Sequence, residues 1–136
     1  MEKLNILIIN KSRIALHLLK HILAGNYNVT TAIDIDSALY WTLNGYSPDL
    51  LIIDGSSCST ECTKNIPKRI KSDDGADFPL LVLTEANKPV SNISSKTTQL
   101  EAYLNKPFNP SELLEKVKLT INKFEHFGSF QPVAGF

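Results

Sequence analysis

The 136-residue sequence contains no apolar run near the roughly 20 residues that a bilayer-crossing helix requires. Met1-Glu2-Lys3 leads directly into a short strand-like run, without the features of a signal peptide. A cytoplasmic chain with no membrane partner is expected. A net charge is absent as well: 14 Lys and Arg balance 14 Asp and Glu, so no overall field draws this segment to nucleic acid. Cysteine is scarce. Cys58 and Cys62 share a helical face, but no third Cys or neighbouring His completes a zinc site, and incidental thiols are the expected reading. No repeat recurs at a solenoid period.

What is present is the composition of one packed domain, 43% hydrophobic and 21% charged. Leu4 to Ile9 and Leu50 to Ile53 are continuous apolar runs that suit strands buried on both faces, and Leu80 to Leu83 is a third. Tyr27 to Ile33 is β-branched, and Glu101 to Leu104 supplies a fifth strand.

Between the strands lie helical patterns. Ser12 caps the first, whose apolar residues are Ile14, Ala15, Leu18, Leu19, Ile22 and Leu23; His17 and His21 belong to its polar face. Asp36 or Ser37 opens a second, with Tyr40 and Trp41 expected to pack. A third is expected from about 60 to 71, and a short, polar fourth over 87–99. Asn109, Pro110 and Glu112 give the clearest start, an N-cap, a first-turn proline and a capping-box acid, followed by the stripe Leu113, Leu114, Val117, Ile121 and Phe124. The expectation is an α/β chain: a five-stranded parallel sheet with helices on both faces, a doubly wound (βα)5 architecture. Residues 1–126 form the domain and 127–136 a tail or the start of a linker.

In such sheets chemistry gathers beyond the carboxyl ends of the strands. Asn10 and Lys11 follow the first strand, Asp54 closes the third, Thr84 the fourth and Lys106 the fifth. An aspartate beside the small residues Gly55, Ser56 and Ser57 can attack a phosphoryl group, a threonine hydroxyl can bond a phosphoryl oxygen, and an ammonium can neutralise its charge. Singly, each has a plainer reading as a helix cap, a strand end or a solvated lysine. Their joint placement favours one site.

These residues carry a resemblance. From about Leu4 to Phe124 the chain resembles the receiver domain of two-component response regulators, on the segments DLLIID ending at Asp54, LLVLT ending at Thr84, and AYLNKPF holding Tyr103, Lys106 and Pro107. The resemblance implies that Asp54 accepts a phosphoryl group from a sensor histidine kinase or phosphotransfer protein. Thr84 and Lys106 would sense it, and Tyr103 would be the switch residue. It also implies a downstream protein partner on the face built from the fourth helix, fifth strand and fifth helix, and a signalling role without enzymatic turnover.

One departure bears on the metal. Receivers usually carry acidic residues after the first strand that hold magnesium, and here stand Asn10, Lys11 and Ser12. Magnesium relies on carboxylate oxygens, so Asp54 and the backbone carbonyl of Ser56 would be its remaining contacts, a degenerate pocket in which the ion is expected to bind weakly. A lysine charge about 4 Å from Asp54 would be worth roughly 4 kcal/mol at a surface-like dielectric, so Lys11 can take the ion's place. Two functions follow: a receiver phosphorylated on Asp54 despite an impaired pocket, or a pseudo-receiver that binds a protein partner whatever its phosphate state. A flavodoxin-like FMN or nucleotide binder is the alternative of another class. No glycine-rich phosphate loop follows the first strand, which argues against it.

Overall fold

The computed structural model describes residues 3–55, 79–85 and 101–130. Within them, in chain order, are β1 (Asn5–Ile9), α1 (Arg13–Leu23), β2 (Asn28–Ala32), α2 (Ile35–Leu43), β3 (Leu50–Asp54), β4 (Leu80–Glu85), β5 (Glu101–Lys106) and α3 (Pro110–Phe130). The strands form one parallel sheet in the order β2-β1-β3-β4-β5. This is the expected doubly wound sheet. The helices expected at 60–71 and 87–99, with Ser56, Cys58 and Cys62, lie outside the described residues.

Strand parity divides the core. Ile6, Ile8, Leu50, Ile52, Leu81 and Leu83 point to the face covered by α1 and α3, where they meet Leu16, Leu19, Leu23, Leu113, Val117 and Ile121. Leu7, Ile9, Leu51, Ile53, Leu80 and Val82 point to the other face, against Ala38 of α2. Burying such a side chain contributes about 1.5–3 kcal/mol. With both faces covered, the central strands need unbroken apolar runs, and β1 and β3 have them.

In α1 the Ser12 hydroxyl accepts from the Ala15 N–H at 3.1 Å, as its capping role requires. The buried stripe, however, is Leu16, Leu19 and Leu23, while Ile14 and Leu18 are 83% and 56% exposed. The apolar arc of α1 is wider than the sheet can cover, and contact with the strands selects the side centred on Leu19. In α2 the cap is Asp34 rather than Asp36 or Ser37: its extended backbone brings the carboxylate to the Ser37 N–H at 2.8 Å. Tyr40 and Trp41 are exposed, with edge-on ring contacts between Trp41 and both Tyr40 and Tyr46. They form a ledge on the surface instead of packing into the core.

At α3 the capping box is closed in both directions. Asn109 N–H donates to Glu112 Oε1, and Glu112 N–H donates to Asn109 Oδ1, each at 2.8 Å. The helix runs on to Phe130. Strands β4 and β5 also continue beyond their apolar cores, pairing Thr84 with Asn105 and Glu85 with Lys106. That polar extension forms one wall of the site.

Candidate functional site

Asp54 is the last residue of β3 and is 6% exposed. A carboxylate so placed needs donors, because an unpaired buried charge is costly. Gly55 follows in close contact with β4: a Cβ there would lie 3.2 Å from the Leu83 carbonyl oxygen. The small residue lets the chain leave the sheet beside its neighbour strand.

Lys106 supplies one donor. From the end of β5 it reaches past β4, placing Nζ 2.7 Å from Asp54 Oδ2 and 3.4 Å from Glu85 Oε2. Burial acts to lower the lysine pKa, but the hydrogen bond to Asp54, the Asp54 charge and the weaker pull of Glu85 together raise it above its usual value. The ammonium is therefore held in its charged form. The peptide bond from Lys106 to Pro107 is cis.

Asn10 supplies another. Its backbone N–H extends the β1–β2 ladder to the Ala32 carbonyl at 3.1 Å. Its buried side chain turns toward β3, where Nδ2 donates to Asp54 Oδ2 at 3.2 Å. Oδ1 accepts from the Ser12 N–H at 2.9 Å. This second bond fixes the orientation of the amide, because the oxygen is committed to the helix start and only the NH2 group can face the carboxylate. Lys11 follows on the exposed side of the turn.

Thr84 stands at the same sheet edge, with its hydroxyl donating to Asn105 Oδ1 at 2.7 Å. Tyr103 is half-buried against the α2-side core. The structure thus brings Asn10, Asp54 and Lys106 into direct contact and sets Thr84 beside them with its hydroxyl engaged by β5. Ser56 lies outside the described residues. Sequence reasoning missed Glu85 and Asn105, which follow from the in-register pairing of β4 with β5 at their polar ends. It also missed the Ser12 N–H, which no side-chain pattern reveals.

Magnesium takes near-octahedral oxygen coordination and relies on carboxylates. Asp54 Oδ2 here accepts from an ammonium and an amide, and Asn10 turns its one oxygen to Ser12. Among the described residues no three His, Cys, Asp or Glu side chains gather where they could hold a metal. Among the described residues the donor set does not fit the ion. A separate open cleft of about 460 Å³ runs between α1 and the end of β2, lined by Arg13, His17, Lys20 and Ser37 among others.

No family model matches the chain. The regulatory protein VanR of Enterococcus faecium is 31% identical over 83 residues, 58% of this chain and 33% of VanR. The match therefore spans about a third of that relative's length. Among solved structures, a CheY-like response regulator receiver domain protein from Methanospirillum hungatei JF-1 superimposes with a TM-score of 0.71 at 24% identity, over 92% of this chain and 98% of the other. A response regulator from Thermotoga maritima gives a TM-score of 0.67 at 26% identity, over 88% and 98%. The strand order, the acidic strand end with its lysine, and this agreement over nearly whole chains lead to one conclusion: the chain has the CheY-like fold and is similar to response regulator receiver domains.

Proposed function

We propose that the chain receives a phosphoryl group on Asp54 from a sensor histidine kinase or phosphotransfer protein in the cytoplasm and relays it as a change in protein binding. The observation that carries this reading is the Asp54 carboxylate at the end of β3 with the Lys106 ammonium 2.7 Å away. In the transfer a carboxylate oxygen forms a bond to phosphorus, the donor's bond to phosphorus breaks, and the electron pair leaves with the donor. Lys106 balances the charge that accumulates. Thr84 would exchange its bond to Asn105 for one to a phosphoryl oxygen, and that loss would be felt by β5 and Tyr103. The chain acts as an acceptor, without turnover of its own.

A protein partner is expected on the β5 and α3 face together with 87–99, the latter outside the described residues. Leu119 of α3 is 55% exposed. Neither membrane nor nucleic acid is a direct partner in this reading; among the described residues no helix is long and apolar enough to cross a membrane. A second reading, a pseudo-receiver that binds its partner whatever its phosphate state, is favoured by the Asn10 donation to Asp54, which occupies the acceptor in its unmodified form.

Incubation with a small phosphodonor and magnesium, followed by intact-mass measurement, tests the proposal. Wild type is expected to gain one phosphoryl group slowly and Asp54→Ala none. Equal gain in Asp54→Ala would overturn the assignment of the acceptor. Gain only in Lys11→Asp would establish the second reading.

A further inference from the structure

We infer that Asn10 stands in for the cation of this pocket, so that the acceptor carboxylate is held in place without any metal. The inference rests on Asp54 being the acceptor and names the group that holds it. The argument starts from shape. Asparagine and aspartate have nearly the same size, and either would accept from the Ser12 N–H through one oxygen, as Asn10 does at 2.9 Å. The remaining atom then decides the electrostatics. In Asn10 it is the NH2 group, 3.2 Å from Asp54 Oδ2, and the contact is an attractive hydrogen bond. In an aspartate it would be a second carboxylate oxygen at the same distance, and two carboxylates so close repel each other, a repulsion that a divalent ion bound to both would relieve.

Burial sharpens the difference. Asn10 is 4% exposed and Asp54 6%, so water cannot screen a repulsion there as it would on the surface. Lys106 adds its charge on the same Oδ2 from the β5 side. The carboxylate is thus gripped by an amide from β1 and an ammonium from β5, and the Ser12 bond prevents the amide from rotating. Asn10 is a positioning residue: it sets where the Asp54 oxygens lie before any donor arrives.

The test compares thermal unfolding of wild type, Asn10→Ala and Asn10→Asp in EDTA and in millimolar magnesium. Wild type is expected to unfold at the same temperature in both. Asn10→Ala is expected to unfold lower in both, by an equal amount. Asn10→Asp is expected to unfold about 3–6 °C lower in EDTA and to recover most of that loss in magnesium, since an ion that binds only the folded state stabilises it. Wild type gaining as much from magnesium as Asn10→Asp would overturn the inference, and so would an Asn10→Asp protein as stable as wild type in EDTA. Manganese titrated into isotopically labelled wild type gives a reading that needs no variant. Absence of saturable broadening at the Asp54 and Gly55 amides at submillimolar metal supports the inference, and saturable broadening there refutes it. Both readouts are independent of phosphoryl transfer, so a failure to label Asp54 by a phosphodonor would count against the acceptor assignment and leave these results distinct from it.

Discussion

Lys106 and Asp54 form an ion pair across an intervening strand: one residue ends β5, the other ends β3, and their charged atoms lie 2.7 Å apart above the end of β4. The pair therefore clamps three strands at the edge where the site is built. Removing the ammonium leaves a buried carboxylate with one fewer charged donor.

Lys106→Met is expected to cost about 2 kcal/mol of stability near neutral pH, the scale of a hydrogen bond to a charged group. The pH dependence has a definite sign. The lysine pKa is raised in the folded state, so its stabilisation is fully present below the usual value of 10.5 and is lost as pH rises through and beyond it. Burial also raises the pKa of Tyr27 and Tyr46, which weakens the fold over the same alkaline range. The quantity to measure is therefore the stability difference between wild type and Lys106→Met by urea unfolding, at pH 8 and again above pH 10.5. It should shrink at the higher pH; an unchanged difference would show that the ion pair contributes nothing.

Thr84 and Asn105 should prove coupled. Thr84→Val and Asn105→Ala each remove one end of the 2.7 Å bond. The double mutant should be less destabilised than the sum of the singles by about 0.5–1 kcal/mol. Additivity would mean that the bond does not hold Thr84 toward β5 in solution.

The α3 cap offers a test away from the site. Asn109→Ala should lose about 1 kcal/mol, and Glu112→Ala should lose less once Asn109 is gone, because the two bonds close one motif. Chemical denaturation of the three variants would read both effects.

Gly55→Ala places a methyl group 3.2 Å from a carbonyl oxygen of β4. A flexible side chain could give way, but a backbone oxygen inside a paired strand cannot move without straining its ladder. A loss of about 1–3 kcal/mol is expected, read as a lower unfolding midpoint. An unchanged midpoint would show that the β3 exit has slack.

The legible part of this fold was the buried one. Runs such as Leu50 to Ile53 leave little choice of structure, and the capping pattern from Asn109 to Glu112 fixed the start of α3 to the residue. Where an element is only half covered, sequence pattern loses its hold: α1 has apolar residues around more of its circumference than the sheet buries, and periodicity alone does not tell Leu16, which is buried, from Ile14 and Leu18, which are not. The site divided the same way. Asp54, Lys106 and Asn10 were visible as polar residues closing apolar strands. The direction of the Asn10 amide was not, because it depends on a backbone N–H at Ser12. Nor was the Thr84 partner, which depends on how far β4 and β5 stay paired.

Every contact at Asp54 described above joins distant parts of the chain. Asn10 and Asp54 are 44 positions apart, Lys106 and Asp54 are 52, and parallel pairing allows no short hairpin to bring them together. Such long-range closures slow folding. They also set an order of events during synthesis. A growing chain that has already made β1 and β3 still lacks the charge that completes the pocket, and it gains that charge only when position 106 has left the ribosome and β5 has docked. Until then the Asp54 carboxylate waits without its ammonium, and a product truncated before the last strand would never acquire it.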